Sequence, residues 1–475
     1  MKRKIKFFTL YDTFSEAEKK QFKLFITSHF FSRGRKYTRI LKYIEIDRTV
    51  FFEFGNTIKE RTLWNRLSEL TKLAEKFLVL KAAESETAEY NKLLLSELKK
   101  RNLNDYYEKK INDYRSELEN ALVKEMRLEE YLNVNSEYFN YLNSLPDSKI
   151  TGEQFLRTND FKFSLFVLGM LDYLIQIKDL KKVKSLASGN YLEEILLKFN
   201  FSEILKFIKE NVSDIYPLVA FHFHIYNSMK EPLKQTHYKK AKKIFENDLT
   251  QIPENYRMNF YNKLIYINLD LINLQETSHY TELFRLINSK LKEGLFSDIE
   301  DKNFDKNEFR NYILVALSLK KYKWIENFID KFGSKLPAEF RDDSIYFGNA
   351  LLLYHKKEYL QSLELLNKLK KTNPYFYIDA SRLKLKVSYD LNQIDDCYID
   401  LRRIMEFMRQ DRKVQFLLIK YTKEFCRSYR LLLNLKQNPT KKNLLNLEFE
   451  LNKGKLAGRR WIKKKISEIK IDSKL

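Results

Sequence analysis

The sequence predicts an all-α protein, an α-solenoid of antiparallel helix pairs with helical caps at both ends, and three observations carry that expectation. Apolar residues recur at helical spacing along nearly the whole chain. Only ten glycines and seven prolines punctuate 475 residues, which suits long helices with short turns and not a β-sandwich or a dinucleotide-binding sheet. One two-helix pattern also returns several times in the second half. Such a chain is too long for one compact core, so several domains or one elongated array are expected. The expected divisions are 1–83 as an N-terminal three-helix cap, 84–147 and 148–216 as helical segments, 217–410 as the repeats, and 411–475 as C-terminal helices with a basic cap.

In chain order, Ser15 and Glu18 form a capping box, and Phe22, Phe25, Ile26 and Phe30 carry a helix to about Phe31. A second helix is expected from about Tyr37 to Ile46. After VFFEFGN a third runs from about Thr57 to Leu80, with Leu63, Leu67, Leu70, Ala74 and Phe77 inward. This trio, with Arg33, Arg35, Lys36, Arg39, Arg61 and Arg66 nearby, invites a helix-turn-helix reading but lacks the short glycine-bearing turn before a recognition helix. It reads better as a cap on the open end of the array. From Glu89 to about Asn143 the pattern stays helical, with breaks expected near Asn102-Leu103-Asn104 and at Asn133 to Ser136. Leu145-Pro146-Asp147 and Thr151-Gly152 mark a boundary. Phe161 to Lys178 is then a helix apolar on nearly all sides, in which Asp172 needs a partner. Short helices fill Leu180 to Tyr216, and Pro217 opens the repeats.

The repeat is clearest in Ser344 to Pro374, SIYFGNALLLYHKKEYLQSLELLNKLKKTNP. Tyr346, Ala350, Leu353 and Tyr354 mark one helical face, and Tyr359, Ser362, Leu363, Leu366 and Leu369 mark a second. His355 to Glu358 is a polar break, and Asn373-Pro374 is expected to stop the second helix. Two helices so closely joined lie antiparallel and need neighbours to bury both faces. Sliding the second-helix pattern along the chain finds Tyr238, Ala241, Phe245 and Pro253, then Tyr280, Leu283 and Ile287, then Tyr322, Ile325, Ile329 and Pro337, and finally Ile394, Cys397 and Leu401. The leading residues, 238, 280, 322, 359 and 394, step by 42, 42, 37 and 35. Any irregular bundle of antiparallel helices would share the periodicity, but not a regular step.

These residues resemble the tetratricopeptide (TPR) family, whose repeat of about 34 residues is a helix-turn-helix with an aromatic, a small residue, a bulky residue and a helix-ending proline at these places. The resemblance covers roughly residues 218–410. The steps run long, and the tryptophan, glycine and alanine marks of the first helix are mostly missing. It implies a right-handed solenoid in which first helices line a concave groove. Phe347, Leu351, Tyr354 and His355 would then face the groove from the central repeat, and Arg310 and Leu314 from the one before it. An apolar and aromatic groove with a few cations suits a peptide or helix of another protein; equally, these residues could serve only to pack the next repeat. Some TPR proteins grip a C-terminal carboxylate with a Lys/Asn/Arg set, but Phe347 and Leu351 stand where that set needs lysine and asparagine. The whole build is also similar to that of uncharacterised bacterial all-helical proteins.

The formal charge of +23 points toward nucleic acid, acidic membrane or acidic partners, and its position matters more than its size. Residues 1–40 hold eleven Lys/Arg against three Asp/Glu, and residues 441–475 hold eleven against four, so the two ends carry +15 of the +23. A genome rich in A/T codons would raise lysine by itself. In the last segment Trp461, Ile462, Ile466 and Ile469 share one face, surrounded by Arg459, Arg460, Lys463, Lys464 and Lys465. That is a basic patch for phosphates or acidic lipid, or else the solvated face of a capping helix. Nucleic-acid binding through the basic ends is therefore the second functional expectation, after an adaptor that binds another protein.

Chemistry is sparse by comparison. Two cysteines, Cys397 and Cys426, form no disulfide framework and favour a reducing compartment. The opening MKRKIKFFTLYDTF has too short an apolar run for a secretion signal. Phe163 to Ile177 falls short of the ~20 residues that span a bilayer, so a cytoplasmic protein without a membrane span is expected. Of the six histidines, His29, His222, His224, His237, His279 and His355, the closest pair, His222 and His224, would point about 200° apart on a helix and could not share a metal. No phosphate-cradling glycine motif or nucleophile elbow occurs. Glu125, Glu129 and Glu130 read as solubilising charge, and Cys397 as a small packing residue. The sequence thus names no catalytic, cofactor-binding or metal site, and no enzyme is expected.

Overall fold

The computed structural model describes residues 5–46, 60–85, 87–144, 152–183, 191–273, 278–297, 303–370, 374–410, 416–452 and 458–473. These form 24 α-helices and one 3-10 turn, and no strand occurs among them. The chain is all-α, as the periodicity predicts. By internal contacts it divides into two compact units, Met1–Leu165 and Phe166–Leu475.

In the first unit α1 (Lys6–Tyr11), α2 (Glu16–Thr27), α3 (His29–Ser32), α4 (Thr38–Ile46) and α5 (Glu60–Ser85) enclose an aromatic core. Phe14, Phe22 and Phe77 meet there with ring centroids 5.6–5.7 Å apart. The Ser15/Glu18 capping box is present in full and starts α2. That helix ends at Thr27, short of Phe31, because Ser28 turns extended and only α3 follows. Leu63, Leu67, Leu70, Ala74 and Phe77 are all buried along α5. Glu69 of α5 takes the guanidiniums of both Arg35 and Arg66 and the hydroxyl of Tyr37, so two cations named for a DNA-reading trio are spent on a carboxylate. The VFFEFGN stretch lies outside the described residues.

The same unit continues with α6 (Thr87–Lys100), α7 (Asn104–Ala121), α8 (Leu128–Asn143) and the start of α9 (Gly152–Val183). The expected break at Asn102 to Asn104 is real. No break occurs at Asn133 to Ser136, which lies inside α8; the chain turns instead at 122–127. Residues 145–151, where a boundary was expected, lie outside the described residues. Helix α9 does not bury every side: Phe161, Val167, Leu171 and Leu174 are buried, whereas Phe163 and Phe166 are 36% and 58% exposed.

The second unit contains α10 (Tyr191–Leu196), α11 (Phe201–Asn211), α12 (Tyr216–Lys230), α13 (Gln235–Asn247), α14 (Glu254–Asn273), α15 (His279–Lys292), α16 (Lys306–Ser318) and α17 (Tyr322–Phe332). It goes on through α18 (Ala338–His355), α19 (Tyr359–Asn367), α20 (Pro374–Asp390), α21 (Ile394–Gln410), α22 (Phe416–Gln437), α23 (Lys441–Asn452) and α24 (Arg459–Ser473). Asp172 finds its partner here, with Lys263 Nζ at 2.8 Å and Gln176 donating at 2.6 Å. Each of α12, α14, α16, α18, α20 and α22 packs against the helix that follows it. In addition α12 touches α14, α16 touches α18, and α18 touches α20. Side-chain hydrogen bonds link successive pairs: Arg257 to Glu293, Trp324 to Asn288, Tyr354 to Asp390 and Tyr398 to Asn434 each join residues 36 apart, against steps of 42, 42, 37 and 35 read from the sequence.

The small-residue column of the second helices is buried as the pattern requires, with Ala241, Ser362 and Cys397 all inaccessible. Ser362 Oγ, which burial would otherwise penalise, donates to the Ala350 carbonyl at 2.8 Å. Gly348 marks the closest approach of α18 to the pair before it, since a Cβ there would lie 2.9 Å from Ile313 Cδ1. Pro374 does not stop the second helix. That helix ends at Asn367 and Pro374 opens α20, where its missing N–H has no carbonyl to meet and its fixed φ suits the first turn. Pro253 and Pro337 likewise stand immediately before α14 and α18.

The turns repeat more faithfully than the helices. Asn102, Met126, Lys320, Lys357 and Asn392 all adopt left-handed φ between 55° and 68°. In each case the following residue donates five positions back, as in Lys321 to Ala316 (2.9 Å), Glu358 to Leu353 (2.9 Å) and Gln393 to Ser388 (3.0 Å). This is the Schellman arrangement, and in all five the next helix begins two residues after the left-handed one. Two of the five lie in the first unit, outside the segment in which the sequence shows a repeat.

Candidate binding groove

The helices α16, α18 and α20 place the proposed groove residues. Phe347 and Leu351 are buried, Phe347 against Phe376 with ring centroids 5.7 Å apart. They are packed by their own chain, while Arg310, Leu314 and Tyr354 keep partial access and His355 is exposed. Arg310 reaches from α16 to Asp379 of α20 at 2.6 Å. Tyr354 donates to Asp390 Oδ2 at 2.7 Å and accepts from Trp461 Nε1 at 2.6 Å. Burial and the Asp390 carboxylate push the Tyr354 phenol far above its usual range. His355 sits edge-on to Tyr354 at 5.8 Å, and partial desolvation of its ring by the surrounding chain, with Lys386 and Lys464, holds its pKa down although one edge stays exposed.

The C-terminal helix divides the predicted basic patch. Trp461 stacks on Tyr429 at 6.0 Å and meets Tyr389 edge-on at 5.3 Å, while Ile462 and Ile466 are buried. Lys465 turns into this face and binds Asp390 at 2.5 Å and Glu468 at 2.7 Å. Burial opposes its charge, but those two hydrogen bonds outweigh burial and raise its pKa. The reason is register: position 465 lies four residues after Trp461, on the same face of the helix. Arg460, Lys463 and Lys464 remain exposed, and Arg459 donates to Asn452 at 3.3 Å.

Two lysines, Lys290 buried and Lys386 half-buried, carry signals that periodicity could not show. Lys290 is 1% exposed and donates to Asn262 (2.8 Å), both oxygens of Glu308 (2.9 Å) and the Tyr312 hydroxyl (3.2 Å). It ties α14, α15 and α16 together. Lys386, on α20 one turn after Arg382, has no hydrogen-bond acceptor among the described residues and sits 5.8 Å from the Trp461 ring centroid. Burial and the Arg382 guanidinium lower its pKa to about 8, against the pull of Asp379 and Asp390. An Arg/Lys pair four apart on an aromatic-rich helix was the only sequence signal available for it.

His222 is buried, with Nδ1 2.9 Å from the Leu218 carbonyl, while His224 turns away to meet His237 Nδ1 at 2.9 Å across the α12–α13 pair. No group of three His, Cys, Asp or Glu is placed to hold a metal ion among the described residues. Cys397 is buried, and burial pushes the Cys426 thiol up to about 12, far from a reactive thiolate. A cavity of about 350 Å³ between α19, α20 and α21 is lined by Phe376, Lys384, Asp400 and Arg403. There Asp400 Oδ1 takes Lys384 and Arg403 at 3.4 and 3.2 Å. No helix among the described residues is long and apolar enough to cross a membrane. Neither a family model, nor a curated protein, nor a solved structure matches this chain.

Proposed function

We propose that the chain is a non-enzymatic, cytoplasmic scaffold or adaptor, built as a right-handed TPR-like solenoid capped by helices, that binds a peptide or helix of another protein. The observation that supports this reading most is the recurrence of one turn, five times, with each first helix stacked on the next in the row α16, α18 and α20. A row of first helices offers a continuous strip of side chains to an extended or helical ligand. On that strip Arg310, Leu314, Tyr354 and His355 keep solvent access, whereas Phe347 and Leu351 serve packing. The exposed Arg460, Lys463 and Lys464 of α24 favour a second reading, nucleic-acid binding through the basic C-terminal end.

The test is affinity capture of the tagged full-length chain from its native lysate, with half treated by nuclease, in parallel with Arg310→Glu and His355→Glu variants. The adaptor reading expects one defined protein from both halves that is lost from the variants. Bound material that disappears with nuclease and is unaffected by the two variants would replace it with the nucleic-acid reading.

A further inference from the structure

The groove charge does not balance. Arg310 and Arg382 both bear on Asp379, at 2.6 and 3.7 Å. Lys386 stands one turn further along the same helix with no acceptor of its own among the described residues. The other nearby carboxylate, Asp390, is taken by Lys465 at 2.5 Å and Tyr354 at 2.7 Å. Arg310, Arg382 and Lys386 thus have only Asp379 that no other cation takes, and with Lys465, Asp390 and Glu468 included the cluster keeps a net positive charge among the described residues. The Nε atoms of Arg310 and Arg382 are both buried without an acceptor among the described residues. Unsatisfied guanidinium N–H groups are expensive to keep out of water, and the half-buried Lys386 adds a third cation beside them. Solvent still reaches the cluster, since the Arg310 and Arg382 side chains are 29% and 18% exposed.

We propose that Arg310, Arg382 and Lys386 form a binding site for a phosphate-class dianion. A phosphate group supplies the missing negative charge and, unlike a carboxylate, has enough oxygens to meet two guanidiniums and an ammonium at once. Guanidinium forks match tetrahedral oxygens two at a time, and the ammonium supplies a point charge beside them. The source is either free inorganic phosphate or a phosphoryl group carried on a larger molecule. The site lies in the groove of the adaptor reading but does not depend on it, because its readout is a small anion and not a protein.

The experiment is calorimetric titration of the full chain at fixed ionic strength with inorganic phosphate, phenyl phosphate and acetate, alongside thermal unfolding in each. The expected result is saturable 1:1 binding of phosphate with a raised melting temperature, and at least tenfold weaker binding of acetate. Lys386→Met should lose at least tenfold in phosphate affinity and melt higher than the parent in chloride alone, because it removes an unpaired charge. Arg310→Gln, on the more exposed side, should weaken phosphate similarly without changing helix content. Phenyl phosphate binding as well as or better than phosphate identifies a phosphorylated ligand; binding of inorganic phosphate alone identifies the free ion. Equal responses to phosphate and acetate, an unchanged phosphate response in Lys386→Met, or a lower melting temperature of that variant in chloride would each overturn the site.

Discussion

Lys290 and Lys386 belong to the same helical array, yet they occupy opposite electrostatic situations. Around Lys290 the packing of α14, α15 and α16 supplies an amide, a carboxylate and a phenol, so burial of the ammonium is compensated on every side. Around Lys386 the packing of α18, α20 and α24 supplies a tryptophan ring and a second cation. The first arrangement is complete without a ligand and reads as a strut. The second is not complete, which is the state expected of a residue whose counter-charge comes from outside the chain. Burial alone therefore says little about a lysine; the inventory of acceptors decides.

The comparison breaks most directly at Glu308. Removing one partner of a buried ion pair leaves the other stranded, so Glu308→Ala should lose about 3–5 kcal/mol in urea-induced unfolding. A loss under about 1 kcal/mol would mean that Lys290 is no better enclosed than Lys386.

Lys386→Met should have the opposite sign, a gain of up to about 1 kcal/mol at pH 7, because solvent at the half-buried ammonium screens the charge that it removes. The pH dependence sharpens it. Because the folded pKa of about 8 lies below the unfolded value near 10.5, the unfolded chain binds more protons between the two. Lys386 therefore contributes increasing stability as pH rises from 8 to 10.5. The difference between parent and variant, followed by unfolding at pH 7, 8, 9 and 10, should shrink over that range; a constant difference would contradict an unpaired ammonium.

Histidines extend the contrast to groups that shed charge instead of pairing it. Burial lowers His222 and His237, and lowers His224 to about 4. Their folded pKa values lie below the unfolded value near 6.5, so their contribution is complete above pH 6.5 and is lost as pH falls toward 4. Stability measured between pH 7 and 4 should decline more steeply in the parent than in His224→Asn.

The smallest effects belong to lysines whose side chains are in water. Lys320 and Lys357 hold left-handed turns at φ 55° and 68°, where a β-carbon costs about 1 kcal/mol relative to glycine. Lys320→Gly and Lys357→Gly should each stabilise by about 0.5–1 kcal/mol, and Asn392→Gly by less, since asparagine tolerates this region.

Legibility followed the range of the interaction. The capping box at Ser15 and Glu18 and the inward face Leu63 to Phe77 could be read directly, because both depend on residues three or four apart. The turn at Met126 could not be read. Methionine gives no hint of a left-handed position, whereas the polar residues at Asn133 to Ser136 suggest a break that α8 runs straight through. Pro374 was visible as a boundary, but its side of the boundary was not: it starts α20 and does not end α19. At the candidate site Arg310 and Tyr354 were legible from register. Asp379, Arg382 and Lys386 were not, since their significance lies in what they meet across helices.

By itself the sequence determined the helical class and the positions of many helices, because helix hydrogen bonds and apolar faces are set within a few residues of one another. Which charges are paired was decided only by tertiary structure. Among the described residues Lys465 has two carboxylates, Lys290 has one, and Lys386 has none of its own, because a charge is satisfied by whatever group packing brings within about 3 Å, and Asp390 and Glu308 come from helices far off in the chain.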